Sequence, residues 1–284
     1  MKKIFFTLIA FMATLVASAQ ITEIYEYNDK GELKSEPTHV FNKKVKIVIK
    51  EDPHDYVDLG LPSGTLWATC NVGASKPEEW GDHFAWGETT PKPKNGDYYW
   101  DTYKWSDGGV DDCSTIYKYT IADRQKKNGW GKLNKWYNGD TFVGDGKEEL
   151  DPEDDAATVN WGNKWCMPTY DQLRELTNRD YTTYEWTTLN GVKGCKITSK
   201  KNGNSIFLPA TGYRYHQDGG FPPGTLMEPH KGFVPGGAYW SRSLTRGRTD
   251  IACYMYVDSE YFDWNYLERY YGCSVRPVRV QNKK

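Results

Sequence analysis

The side chains that could do chemistry are histidines, cysteines and paired carboxylates, and their spacing here supports no familiar reaction. His39, His54, His83, His216 and His230 stand far apart, none with a cysteine two or three positions away, so no metal-ligand spacing forms. No glycine loop of the phosphate-cradling kind and no Gly-x-Ser-x-Gly elbow is present. Carboxylates adjoin at Glu78–Glu79, Asp111–Asp112 and Glu148–Glu149, but general acid–base work needs a positioned and desolvated pair. The acidic run Glu148–Asp155 and the glycine–aspartate stretch Asp107–Asp112 have the oxygen density a calcium ion takes, yet lack the alternating ligand pattern of a calcium loop. Helix capping and solvation account for them, and no cofactor is expected. No catalytic residue is assigned, and the chain is read as not an enzyme.

Recognition chemistry is better represented, towards the carboxyl end. Ile251, Cys253, Met255 and Val257 alternate with Ala252, Tyr254, Tyr256 and Asp258, the period of two that defines a strand. A long loop is expected from Asp258 to Tyr271, then a single strand from Cys273 to Val280. That loop interleaves Tyr261, Asp263, Trp264, Tyr266 and Glu268 too closely for all to face inward, and Arg242, Arg246, Arg248 and Asp250 line the loop before it. Aromatic, arginine and acidic side chains together have the composition of binding hot spots. These nine residues are the candidate ligand-binding set. Trp240, Tyr254 and Tyr256 are expected to pack the core.

The elements that must hold this region are short strands and few helices. Tyr56–Gly73 gives two strands around the turn Pro62-Ser63-Gly64. Ser75 is placed to cap a short helix, and Asp151, before Pro152, to cap another. Thr169-Tyr170-Asp171-Gln172 is a capping box for a helix to about Asn178, with Leu173 and Leu176 inward. Strands are expected at Cys195–Ser199, Ser205–Pro209 and Ala238–Ser243. The stretch from Gly87 to Gly146 is a long aromatic insertion without periodicity, anchored by residues such as Trp100, Tyr103, Trp105, Trp130 and Trp136. Helices in the middle and strands towards the end predict an α+β fold.

Met1–Ala19 has a basic start, a short apolar run and the cleavage triplet Ala17-Ser18-Ala19, which together read as a secretory signal cleaved after Ala19. The apolar run is too short to span a bilayer, and no transmembrane segment is expected in the mature chain. The chain has 36 basic and 38 acidic residues; loss of Lys2 and Lys3 with the leader brings the net charge to about −4. That balance excludes nucleic acid as a partner, since no cationic surplus meets a phosphate backbone. Residues 20–53 read as an amino-terminal strand arm or small subdomain, and 54–284 as the main domain. Export would let the six cysteines pair; Cys253 with Cys273 and Cys166 with Cys195 are the preferred pairs, with buried free thiols the alternative.

An ordered set of phrases runs through the main domain: DLGLPSGTLWATCNVGA (58–74), FAWGET (84–89), DPEDDAA (151–157), NWGNKWCMPTYDQLREL (160–176), NGNSIFLPATGYR (202–214), YWSRS (239–243) and GCSVRPVR (272–279). Together they resemble the Fibrobacter succinogenes major paralogous domain family of exported bacterial proteins, itself similar to the C-type-lectin-like fold shared with formylglycine-generating enzymes. The resemblance covers about 57–280. It implies an α+β C-type-lectin-like fold with a small twisted antiparallel sheet, two main helices, long irregular loops and adjacent termini. Two departures limit what else it implies. Cys253 and Cys273 are twenty positions apart rather than closely paired as in the oxidase. Glu228-Pro229-His230 and Asp263-Trp264-Asn265 do not make a calcium–sugar site. The expected function is therefore an exported, non-catalytic module at or beyond the cell surface, binding an extracellular protein or glycan through its carboxy-terminal loops, a region that would tolerate sequence variation. The alternatives are a structural part of a surface assembly, joined through the strand arm, and an enzyme with a site in the 87–146 insertion.

Overall fold

The computed structural model describes residues 52–93, 96–107, 112–122, 126–129, 131–215, 226–227 and 236–280. The expected leader and strand arm lie outside them. No helix among the described residues is long and apolar enough to cross a membrane.

In chain order the strands are β1 (Tyr56–Asp58), β2 (Thr65–Ala68), β3 (His83–Phe84), β4 (Tyr137–Asn138), β5 (Thr141–Phe142), β6 (Thr182–Leu189), β7 (Val192–Ser199) and β8 (Ser205–Pro209). They continue with β9 (Tyr213–Arg214), β10 (Leu226–Met227), β11 (Gly237–Leu244), β12 (Ile251–Val257), β13 (Phe262–Glu268), β14 (Cys273–Ser274) and β15 (Val278–Val280). Among the described residues two α-helices, α1 (Ala156–Trp161) and α2 (Tyr170–Thr177), complete an α+β fold dominated by sheet.

The central sheet has the order β13-β12-β11-β14-β3. It is mixed rather than purely antiparallel, because β14 runs parallel to β11. A second sheet, β6-β7-β8, is a meander. In the third, β1 and β15 flank β2, so the first and last strands of the domain share a neighbour, as the resemblance implied.

Alternation along β11 and β12 sends successive side chains to opposite faces. Tyr239, Met255 and Val257 meet Leu173 and Leu176 of α2 and Cys195, Ile197, Ile206 and Leu208 of the meander. Ala238, Trp240 and Ala252 meet the long insertion, whose Trp100, Tyr103, Trp105, Tyr119 and Trp136 form the second half of the core. The insertion is thus an aromatic layer, as its composition suggested. Arg269 pins it: the fully buried guanidinium donates to the carbonyls of Lys118, Tyr119 and Thr249 and to the Tyr103 hydroxyl. It sits 4.7 Å from the Trp86 ring centre.

Local signals explain most elements. The Thr169 hydroxyl accepts from Gln172 N while the Gln172 side chain accepts from Thr169 N, the expected capping box. Four expectations are corrected. Asp155, not Asp151, caps α1: its carboxylate accepts from Thr158 N, and 152–154 form a separate 3-10 turn. Ser75 starts no helix; its amide and hydroxyl donate to Glu79, closing a turn. Residues 273–280 make two strands in different sheets, because the chain crosses between sheets through Val275-Arg276-Pro277.

The fourth concerns the cysteines, all of which are free thiols. Cys253 and Cys273 lie on strands separated by β11, two strand spacings or about 9.5 Å, too far for a bridge. Cys195 is enclosed within the meander opposite Trp186 and Leu208, whereas Cys166 pairs through its backbone with Val278 in the third sheet's surroundings.

Candidate functional site

The segment 258–271 is not a loop. Phe262–Glu268 forms β13, antiparallel to β12 along its whole length, from Val257↔Phe262 to Ile251↔Glu268. The turn that starts it is built by Asp258, whose Oδ1 accepts from the amides of Glu260 and Tyr261, each at 2.7 Å. Its apolar alternation is weak because β13 is an edge strand with most side chains in solvent.

The register divides the candidate residues. Trp264 and Tyr266 pair with Met255 and Cys253 and lie on the α2 side; Trp264 meets Tyr170 edge-on at 4.8 Å. Asp263 and Asn265 pair with Tyr256 and Tyr254 on the opposite face. Tyr261, Tyr266 and Trp264 are 63, 55 and 37 % exposed, so the rings do reach solvent.

The arginine loop is elsewhere. It joins β11 to β12 at the Ile251 end, whereas the Tyr261 turn lies at the Val257 end, about 20 Å away along six residues of strand. There Arg248 makes a two-pronged ion pair with Asp250, at 2.8 and 2.6 Å, and Arg246 and Arg248 line a separate groove with Ile121 and Phe142. Arg242 turns inward, donating to the Leu150 carbonyl, with Glu149 3.4 Å away. Glu268, half-buried at the end of β13, adds its charge to the burial that raises the phenol pKa of Tyr270 and Tyr271. The nine candidate residues therefore do not form one surface.

What the structure assembles instead is a groove of about 360 Å³ on the face carrying Asp263 and Asn265. Tyr254 and Tyr256 form its floor, with Tyr213 and Asp258 at its sides and Tyr261 at its rim. The insertion's cluster takes in Trp240 and Ala252 and packs against Tyr254, but it does not take in Tyr256. Tyr254 and Tyr256, expected in the core, are half-buried for that reason. Paired backbone bonds between Arg214 and Gly272, 2.8 Å each way, bring Tyr213 and Tyr215 against Tyr271. The Tyr215 and Tyr271 rings stack at 5.5 Å, extending the aromatic wall. Burial pushes the Tyr256 phenol up to about 12, with the Asp258 charge adding to it. The Tyr254 phenol is likewise raised by burial. The phenols are therefore neutral donors and acceptors at physiological pH.

Sequence reasoning found Tyr261, Asp263 and Trp264 of this groove and missed Tyr213, Tyr254, Tyr256, Asp258 and Asn265 as lining residues. The alternation of β12 showed that Tyr254 and Tyr256 share a face; which face is covered depends on the insertion.

β13 also treats its open edge in a particular way. Asp258 N donates to Tyr261 O, which sets the alternation of bonded and non-bonded pairs along the hairpin. Phe262, Trp264 and Tyr266 fall in non-bonded pairs, so their amides point away from β12. Asp263 Oδ1 accepts from Trp264 N and Asn265 Oδ1 from Tyr266 N, both at 2.8 Å. Two outward donors are occupied by the strand's own side chains.

The acidic run contains one cluster with metal-like spacing, Asp151, Glu153 and Asp154, whose oxygens lie within 4.8 Å of one another. Lysines already neutralise it: Lys147 and Lys118 reach Asp151 at 2.5 and 3.7 Å, and Lys118 and Lys104 reach Asp154 at 2.5 and 3.1 Å. Lys147 leads the causes that lower the Asp151 pKa; for Asp154, burial opposes the lowering but Lys118, Tyr119 and Lys104 outweigh it. Asp107 and Asp112 are similarly paired with Lys135 and Lys132. No family model, curated protein or solved structure matches this chain.

Proposed function

We propose that the domain is a non-catalytic binding module of the C-type-lectin-like kind, exported from a bacterial cell and recognising an extracellular protein or glycan at the β12–β13 hairpin. The observation that carries this reading is the exposure of Tyr261, Trp264 and Tyr266 on the hairpin, the first two bordering the tyrosine groove and Tyr266 on the face turned to α2, while both halves of the core are closed by other residues. Large rings left in water cost hydrophobic free energy that burial against a ligand recovers, and they lose little conformational entropy when they bind. The seven phrases that resemble the major paralogous domain family agree with this reading, as does the α+β architecture with neighbouring first and last strands.

The non-catalytic part of the reading is supported by Asp145 of the insertion and by Asp151 and Asp154 just after it. Asp151 and Asp154 are held ionised by lysines and Asp145 by backbone amides, against the opposing effect of burial at Asp145 and Asp154. Such groups are poor general acids.

The test is a glycan and host-protein binding screen with the wild-type chain, a Tyr261→Ala/Trp264→Ala/Tyr266→Ala variant and a Tyr254→Ala/Tyr256→Ala variant. Loss of a wild-type signal in either folded variant is expected. Unchanged signals in both would refute the hairpin as the binding surface.

A further inference from the structure

The groove has a charge sign. Among the described residues its lining offers two carboxylates, Asp258 and Asp263, with tyrosines, Trp264 and Asn265, and no lysine, arginine or histidine side chain. Among the described residues neither carboxylate has an ion-pair partner, although lysines and arginines neutralise acids elsewhere on the domain. Asp263 sits across from Tyr256 in a hydrogen-bonded pair, with Cα atoms about 5.5 Å apart. An ammonium group placed between them would meet a carboxylate on one side and an aromatic π-system on the other, two attractions that reinforce each other. A carboxylated or sulfated ligand would bring like charge beside Asp258 and Asp263.

Shape narrows the class further. Tyr254 and Tyr256 stand two residues apart on one face, about 6.6 Å along the strand, and the wall continues through Tyr213 to the Tyr215–Tyr271 stack. Successive rings suit the successive units of an extended chain better than one compact group. Asn265 adds an amide that can bond hydroxyls beside the Asp263 position. Resting on the binding reading above, we infer that this groove takes an amino-sugar glycan, selecting free amines over N-acetylated or acidic sugars.

The experiment measures calorimetric affinity of the whole chain for glucosamine oligomers, their N-acetylated counterparts and galacturonate oligomers, at a pH where the amine is protonated. The free-amine oligomer should bind about tenfold more tightly than the N-acetylated one, and the difference should shrink with added salt. Asp263→Asn keeps the oxygen that accepts from Trp264 N and removes only the charge, so it should bring amine binding down to the N-acetylated level and leave the latter unmoved. Equal affinity for the two oligomers, preference for galacturonate, binding only of lysine-bearing peptides, or indifference to Asp263→Asn would each overturn the inference. If the oligomers bind equally but Tyr254→Ala/Tyr256→Ala abolishes both, the groove stands as a binding site and the charge selection falls. If neither glycan nor peptide binds and that variant changes nothing in the wider screen, the inference and the binding reading of the groove fall together.

Discussion

Asp263 accepts a hydrogen bond from the amide of its own neighbour, Trp264, at 2.8 Å, and Asn265 does the same for Tyr266. An edge strand normally presents such outward donors to any passing chain. Here the donors are engaged without a proline or a bulge. Replacing both residues by alanine should leave the fold intact and produce concentration-dependent association in sedimentation velocity, whereas Asp263→Asn, which retains an acceptor, should remain at the wild-type distribution. A double variant that sediments like wild type would remove the guarding role.

Arg269 is fully buried with carbonyls and rings around it and no carboxylate within ion-pair distance among its described contacts. Arg269→Met strands three carbonyl acceptors and a tyrosine hydroxyl, and should cost on the order of 4 kcal/mol. Lysine should not rescue it, because one ammonium cannot fork to Lys118, Tyr119 and Thr249 together. Urea unfolding midpoints measure both.

His83 supplies a pH test. Its Nε2–H donates to the Thr211 carbonyl at 3.0 Å, and burial, reinforced by the Arg214 charge, lowers its pKa to about 4. The unfolded imidazole takes up a proton near pH 6.5, before the folded one does. Stability is therefore highest above that value and falls as pH drops from about 6.5 towards 4, by on the order of 3 kcal/mol. The His83→Gln variant should show a flatter profile over that window; an unchanged slope would assign the loss to other groups.

Six free thiols make the domain's stability independent of reductant. Wild-type chain unfolded in denaturant without reductant should titrate six thiols per molecule, and its thermal midpoint should not move when reductant is added. A titre of four or fewer would reinstate a disulfide. In the native state Cys113 and Cys166 should react slowly, since burial pushes them up to about 12 and about 11.

What could be read from sequence was local. The Thr169 capping box and the strand Ser205–Pro209 appear where their residues placed them, because a cap or an alternating apolar run carries its own physics within a few positions. β6 escaped, though the Asn190-Gly191 pair after it is a strong hairpin signal; φ is 48° and 87° at those positions, the left-handed geometry a tight turn between twisted strands requires. In sequence β13 reads as a loop, because an edge strand with two wet faces has no apolar side to betray it. The candidate surface suffered from the same cause: Arg248 and Tyr261 are close in sequence, yet the hairpin between them holds their turns at opposite ends. The groove needed long-range knowledge, namely which half of one sheet face the insertion leaves uncovered.

The guanidinium of Arg269 ties residues 103, 118 and 119 to the loop at 249 and to the last turn before β14. The aromatic segment is consequently not an ornament that could be trimmed to yield a minimal scaffold. A shortened protein joining Gly87 to Leu150 would leave a permanent cation facing an empty hole, and any attempt to graft the tyrosine groove onto a smaller carrier must bring that whole segment along.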